Sequence, residues 1–127
     1  MDQFHGRSLT NPRGGRRRRN RDKRKYECGG YFSAPKLAEE SVSEKRRMRG
    51  SGFKVKPKGV SHANVIVDKG RAVKAKITKV ISTPDNRNYA RQGKITKGAV
   101  IGTEAGDSVV ISRPAQDGVV NARLLKG

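Results

Sequence analysis

The stretch GGRRRRNRDKRKYECGG, residues 14–30, concentrates side chains suited to one kind of chemistry, the binding of phosphate. It places eight Lys or Arg between two glycine pairs, with only Asp22 and Glu27 to neutralise them. A guanidinium group binds phosphate through two parallel N–H donors. Two unit charges about 7 Å apart in water repel each other by roughly 0.6 kcal/mol. The run therefore predicts a segment that stays extended until a polyanion binds it.

Catalytic and metal chemistry, in contrast, is predicted to be absent. His5 and His62 lie far apart in the sequence and Cys28 stands alone, so no metal-ligand spacing is present. The acids of the second half of the chain fall largely in predicted turns, where carboxylates commonly serve as caps. Those acids include Glu104, Asp107 and Asp117. GGRRRRNR lacks the Lys-Ser/Thr end of a P-loop. We therefore expect no enzyme, no cofactor and no small-molecule substrate.

The charge balance points to the class of partner. The 127 residues carry a formal net charge of +19 and have a pI near 11.0, which favours nucleic acid over an anionic membrane surface. No apolar run exceeds four residues, against the roughly 20 needed to span a bilayer, and the N-terminus lacks the apolar core of a signal peptide. A single cysteine fits a reducing compartment. We expect a cytoplasmic protein without membrane contact.

The chain has two halves of different composition. Residues 1–49 contain three Val, Ile or Leu, whereas residues 50–127 contain nineteen. Only the second half can therefore build a core. Both halves contain fifteen Lys or Arg, so the folded half is basic too. These counts predict a basic extension and connector over residues 1–49 and a folded domain over residues 50–127.

The second half is predicted to be all-β. Short alternating segments separated by turn residues are typical of a small antiparallel barrel, here of about six strands. The segments are FKVKP, HANVIV, RAVKAKITKVI, GAVIGT, DSVVISR and VVNARLL. In the third segment the alternation slips after Ile77, which predicts a bulge near Thr78 or Lys79. In the last segment Val120, Ala122 and Leu124 are expected to share the buried face.

Turn residues predict how these strands are joined. Asp68-Lys69-Gly70 is expected to form a hairpin loop with Gly70 in the left-handed region. Asp85 is expected to cap a short helical turn that Gly93 ends, and Asp117-Gly118 to make a turn before the last strand. Residues 33–50 hold too few apolar side chains for an amphipathic stripe and are interpreted as a connector, with a helix as the alternative.

Three stretches resemble one known family. They are GRS at residues 6–8, GGRRRRNRDKRKYECG at 14–29, and ITKGAVI at 95–101 with SRPAQDGVVNARL at 112–124. Together they are similar to the e-type family of small-subunit ribosomal protein eight of archaea and eukaryotes, and the length resembles the archaeal form. Two positions depart from the family pattern: Cys28 replaces an aliphatic residue, and Ala115 replaces a glycine, which implies that position 115 does not need a positive φ.

The resemblance implies a structural constituent of the small ribosomal subunit, a barrel with a long basic, non-globular N-terminal extension that binds small-subunit rRNA. Neighbouring ribosomal proteins are the implied protein partners. In the extension we expect rRNA contacts from Arg7, Ser8, Gly14, Gly15, Arg16, Arg17, Arg18, Arg19, Arg21, Lys23, Arg24, Lys25 and Tyr26. In the rest of the chain we expect them from Arg46, Arg47, Arg49, Lys54, Lys56, Arg87, Arg91, Lys97 and Arg113. The aromatic residues that follow the basic run, Tyr26, Tyr31 and Phe32, could stack on bases.

Two alternatives use the same charges. One is a ribosome-assembly factor, which in the related eukaryotic proteins is a longer chain. The other is a general nucleic-acid-binding architectural protein, which would more naturally carry apolar wedges or a helix that reads a groove.

Overall fold

The computed structural model describes residues 4–68 and 70–125. The chain divides into two compact units, Met1–Phe32 and Ser33–Gly127, called here the Arg-rich unit and the barrel unit. Composition placed the division after residue 49. The structure places it after Phe32, because a strand over Val42–Arg47 pairs with a strand over Phe53–Val60 and so ties residues 33–49 to the barrel unit.

The Arg-rich unit is held by turns and single bridges between extended segments. Phe4 pairs with Cys28 and Thr10 with Arg16, both in antiparallel fashion. Its described helical turn is a 3-10 helix over Lys25–Glu27. No side chain among residues 4–32 is buried. Hydrogen bonds and turn geometry, rather than a core, therefore give this unit its shape.

A three-stranded sheet opens the barrel unit. Its strands are β1 (Lys36–Leu37), β2 (Val42–Arg47) and β3 (Phe53–Val60), in the order β1-β3-β2. β3 runs parallel to β1 and antiparallel to β2. The helical alternative for residues 33–50 is therefore wrong: without an apolar stripe a helix has nothing to bury, whereas extended chain can use the backbone donors and acceptors of β3.

Five further strands close into a barrel, with two short helices in its connections. The strands are β4 (His62–Asp68), β5 (Arg71–Ser82), β6 (Val100–Thr103), β7 (Gly106–Val110) and β8 (Asn121–Leu124), and the helices are α1 (Arg87–Arg91) and α2 (Pro114–Asp117). The strand order follows the chain, and β4 meets β8 to close the barrel. Consecutive strands are antiparallel, whereas β4 and β8 are parallel.

The barrel thus differs from the expected antiparallel barrel of about six strands. FKVKP lies in β3, which pairs with β1 and β2 and not with the barrel. β4 already has β5 and β8 on its two sides and offers no edge to a sixth strand. When an odd number of strands alternate in direction, the first and the last point the same way. A five-stranded closure therefore requires one parallel pair.

The core consists of small and medium apolar side chains inside the barrel. Its buried members are Val60, Ala63, Val65, Ala75, Ile77, Ile95, Ala99, Ile101, Val110, Val120 and Ala122. The predicted face of β8 is confirmed, because Val120 and Ala122 are buried, Leu124 packs against the core and Arg123 is exposed. No charged side chain among the described residues is buried. The charged groups are therefore left on the surface.

Three local backbone predictions are confirmed. The β5–β6 register shifts between Ile77 and Lys79, where the alternation slips. Ala115 lies in α2 without a positive φ, as its departure from glycine implied. Gly70 has φ +90°, as expected for its place in the hairpin loop. Lys69 of the same loop lies outside the described residues.

The turns around the two helices agree with the sequence in part. Asn86 rather than Asp85 caps α1, because its side chain accepts a hydrogen bond from the Asn88 N–H at 2.9 Å. Gly93 follows the helix with φ +63°. Gly118 ends α2 in the left-handed region, as the Asp117-Gly118 signal predicted.

Over the described ranges, the structure contains no helix long and apolar enough to cross a membrane.

Candidate nucleic-acid interface

The arginines of the Arg-rich unit are carried by a tight turn. The Asn11 N–H donates to the Gly15 carbonyl at 2.8 Å, and the Gly14 N–H donates back to the Asn11 carbonyl at 2.9 Å. Gly14 has φ +84°, a conformation that favours glycine. The Arg17 N–H then donates to the Leu9 carbonyl at 2.8 Å. The two glycines predicted at the interface thus shape the turn that sends Arg16 and Arg17 back along the chain.

One carboxylate, that of Glu27, organises the other end of this unit. Its Oε1 accepts a hydrogen bond from Arg21 Nη2 at 2.7 Å and its Oε2 accepts one from the Arg24 N–H at 3.0 Å. The Glu27 carbonyl also accepts from the His5 N–H at 2.8 Å. The Arg24 N–H, followed by the charge of Arg21, holds the pKa of Glu27 below its usual value. Glu27 therefore stays ionised near neutral pH and fixes the segment around Arg21 and Arg24.

These turns enclose a cationic cavity of about 390 Å³. Seven of the predicted site residues line it: Arg7, Ser8, Arg17, Arg18, Arg19, Arg21 and Lys23. Four further lining residues are Phe4, Leu9, Asn20 and Glu27, none of which was predicted. Six cations thus face a single carboxylate that already binds Arg21. Such a cavity favours an anionic ligand, since the lining charges repel one another when it is empty.

The other predicted residues of this unit lie outside the cavity lining. Arg24 and Lys25 flank and begin the 3-10 helix over Lys25–Glu27, and both are exposed. The Tyr26 side chain is 60% exposed, and the Arg21 guanidinium lies 5.8 Å from its ring centroid. Arginine and ring at this distance form a cation–π pair, and an exposed ring offers a surface to a base.

A second cationic surface lies on β2 and β3. Arg46 and Lys54 are directly opposite each other across these strands, an arrangement that is unfavourable for like charges unless an anion joins them. Lys56 is opposite Glu44, whose carboxylate pairs with Lys58 at 2.9 Å. The other predicted cations here are Arg47, opposite Phe53, and Arg49, in the following turn. The structure thus brings Arg46, Arg47, Lys54 and Lys56 onto one hairpin.

The four remaining predicted cations are spread over the connections of the barrel. Arg87 and Arg91 are exposed and lie one turn apart on α1. Lys97 is exposed in the turn before β6. Arg113 precedes α2, and its N–H donates to Asp117 Oδ2 at 2.9 Å. The structure leaves each of these side chains exposed, and α2, which follows Arg113, contacts the hairpin through the Lys54 Nζ to Gln116 Oε1 hydrogen bond at 3.4 Å.

The outer face of the barrel adds polar and cationic groups that the prediction of the site missed. Asn64 lies between Lys74 on β5 and Asn121 on β8, and its amide donates to Asn121 Oδ1 at 3.0 Å. Lys76 and Arg123 extend the same outward face. The signal was present in the alternation of Lys74 and Lys76 with buried Ala75 and Ile77. It was not connected with β8, because strand neighbours are not apparent from the sequence.

Catalytic or metal-binding arrangements are not found in the described part of the chain. No group of three or more His, Cys, Asp or Glu side chains there could hold a metal ion. Cys28 is a free thiol. The fold and the surface together define a class, a small basic β-barrel protein whose charged groups are available to a polyanion.

Comparison with known proteins identifies the family. The family model described as Ribosomal protein S8e matches residues 4–125. The small ribosomal subunit protein eS8 of Sulfolobus acidocaldarius is 42% identical over 127 residues, which cover 99% of each chain. The protein of the same name from Pyrobaculum islandicum is 47% identical over 125 residues, 97% of this chain and 95% of its own. The chain therefore belongs to the S8e family of ribosomal proteins, and it is not an enzyme.

Proposed function

We propose that this protein is a structural constituent of the small ribosomal subunit and binds small-subunit rRNA. The cavity-lining cations of the Arg-rich unit and the cationic surfaces of the barrel unit make the contacts. The observation that carries the proposal is the surplus of exposed cations. Among the described residues no carboxylate pairs with Arg7, Arg18 or Arg19, so these groups are available to phosphates.

The described helices argue against groove reading of duplex DNA. α1 has five residues and α2 has four, which is too short for a helix that lies in the major groove and presents several side chains to bases. Phosphate contacts position a protein without reading sequence. Specificity for rRNA then comes from the shape of the RNA, from exposed aromatic rings and from turns such as residues 113–118.

Neighbouring ribosomal proteins complete the proposed environment. The relatives are named as small-subunit proteins, and membership of the family places the chain in the ribosome, in the cytoplasm. Phe53, Val55 and Val119 are 59%, 49% and 49% exposed. Apolar side chains exposed to this extent on a basic protein suit contacts with other proteins of an assembly.

The proposal is tested by following the tagged protein through a density gradient of cell lysate at low and moderate salt. Co-migration with mature small subunits supports it. Migration with large-subunit precursors alone would identify an assembly factor, and migration with DNA a general architectural protein. Either of these results would overturn the proposal.

A charge-matched pair of variants tests the contacts themselves. Arg18→Gln with Arg19→Gln removes two cavity cations. Lys58→Gln with Lys94→Gln removes two cations that already lie 2.9 Å from the Glu44 carboxylate and 4.7 Å from the Tyr89 ring centroid. We expect the first pair to lower the slope of log affinity against log salt by about 1.8, at roughly 0.9 per phosphate contact. The control pair should change it less. Equal slopes for the two pairs would show that the cavity cations do not contact phosphates of the RNA.

A further inference from the structure

The cationic cavity contains an aromatic side chain as well as charges. This combination limits the chemical class of ligand that the cavity favours. Phe4 lines the cavity beside Arg7, Arg18 and Arg19. Its side chain is 38% exposed rather than buried. A ligand that is only a phosphate gains nothing from an apolar ring, whereas a nucleotide gains from stacking its base on the ring.

Two neighbours, Gly6 and Lys23, surround the Phe4 ring. A Cβ atom placed on Gly6 would overlap the Phe4 Cζ atom, so the end of the ring occupies space that only a glycine leaves open. The Lys23 ammonium lies over the ring, 5.7 Å from its centroid, within cation–π range. The ring thus lies at the cavity with open space at Gly6 for its end and a positive charge beside it.

The size of the cavity limits how much RNA it can take. Pockets for small ligands span roughly 300 to 1,000 Å³, and about 390 Å³ lies near the lower end, the size of one nucleotide. A base stacked and paired within a duplex has both faces covered and cannot stack on the Phe4 ring, whereas bases in bulges and loops can be splayed out.

We propose that the cationic cavity binds a single extrahelical nucleotide of RNA, with its base on Phe4 and its flanking phosphates on Arg7, Arg18, Arg19 and Lys23. This inference rests on the proposed function and specifies its ligand. It assigns to the Arg-rich unit the recognition of a bulge in RNA as well as the neutralisation of charge.

The experiment uses the full-length protein and two RNA hairpins that differ by one bulged nucleotide, labelled as 2-aminopurine. At moderate salt we expect about tenfold tighter binding of the bulged hairpin, in the range given by one stacking contact, with a change in 2-aminopurine fluorescence. Phe4→Ala should abolish this preference and leave binding of the perfect hairpin within twofold of the unsubstituted protein. Val73→Ala, which removes an apolar side chain 51% exposed in the barrel unit and outside the cavity lining, should leave the preference unchanged.

A second pair of variants tests the position of the ring without removing it. Gly6→Ala forces the end of the Phe4 ring to move and should reduce the preference several-fold. Gly52→Ala, whose added Cβ would have no neighbour within 4 Å at φ −77°, is the control and should keep the preference.

Three results would overturn the inference. Equal, tight and salt-sensitive binding of both hairpins would contradict it while leaving the proposed function intact. Equal losses for both hairpins in Phe4→Ala would assign Phe4 to the scaffold of the unit. Failure to bind either hairpin or rRNA would overturn the proposed function as well.

Discussion

The Arg-rich unit and the barrel unit carry the same kind of charge on two kinds of support. Residues 1–32 contain ten Lys or Arg, and none of the side chains described there is buried. The barrel unit packs an eleven-residue core, and on β5 the exposed Lys74 and Lys76 alternate with the buried Ala75 and Ile77. The first set is positioned by hydrogen bonds around Asn11 and Glu27, and the second by burial of apolar side chains. Loss of these hydrogen bonds should therefore disturb the cations of the Arg-rich unit, and loss of core packing should disturb those of the barrel unit.

Deletion of residues 1–32 should have the largest effect, because it separates the contribution of the Arg-rich unit to rRNA affinity from the stability of the barrel unit. The core lies entirely within Ser33–Gly127, so the shortened protein should keep its circular dichroism spectrum and unfold cooperatively. If the Arg-rich unit contacts eight phosphates, the full protein should lose about four decades of rRNA affinity between 50 and 200 mM salt. The shortened protein should show a correspondingly smaller slope. An unfolded truncation product would show that the barrel unit depends on the Arg-rich unit.

Val120→Asp should be the most damaging single substitution in the barrel unit. Val120 is 3% exposed in the core, so the carboxylate would be buried without a partner, and we expect a loss of about 4 kcal/mol in the free energy of unfolding. The matched control is Val119→Asp, because Val119 is adjacent in the sequence and 49% exposed. Urea titration measures both. Equal stabilities of the two variants would contradict the assignment of Val120 to the core and of Val119 to the surface.

Gly118→Ala tests a smaller contribution, the turn that joins α2 to β8. Gly118 has φ +83°, and a Cβ there would lie 3.0 Å from the Val55 carbonyl oxygen. We expect a loss of about 2 kcal/mol, because an L-residue in the left-handed region costs roughly 1 to 2 kcal/mol before any steric contact. Gly52→Ala is the control, since Gly52 has φ −77° and no neighbour within 4 Å of the added atom. A similar loss at both sites in thermal or urea unfolding would argue against a special role for this turn.

The sequence predicted best those features that local patterns determine. The slip in alternation after Ile77 located the bulge, and the period of two in VVNARLL identified Val120 and Ala122 as core. Asp117-Gly118 identified a turn, although not that the turn contains a short helix. Each of these depends on residues within a few positions of one another.

Features that depend on distant residues were not predicted. β2 contains a single apolar residue, Val42, and forms because β3 supplies an unfilled edge. The parallel β4–β8 pair follows from the number of strands rather than from their composition. Phe4 reaches the cationic cavity because it pairs with Cys28, a contact across 24 positions that no periodic pattern in the sequence predicts. Counting arginines found the charged lining, but not the aromatic ring within it.

Acidification should produce the smallest effect, through the contacts of Glu27 in the Arg-rich unit. The Arg24 N–H and then the Arg21 guanidinium lower the pKa of Glu27 below 4.5 in the folded protein. A group with a lowered folded pKa stabilises the fold above its unfolded pKa, and this contribution is lost as the pH falls through the folded value. The contacts of Glu27 should therefore persist from pH 7 to about 4.5 and weaken below it.

An NMR titration of backbone amides would follow this change directly. The amides of Arg24 and His5 should shift below pH 4.5, because they donate to the Glu27 carboxylate and carbonyl, whereas that of Val65 in the barrel core should not. Glu27→Gln should remove the pH-dependent shift, since the amide cannot titrate. A midpoint at or above 4.5 would show that the two donors do not favour the ionised carboxylate. A concerted shift of the Val65 amide would show that the barrel unit responds to acid together with the Arg-rich unit. That result would contradict the inference that the two units position their cations independently.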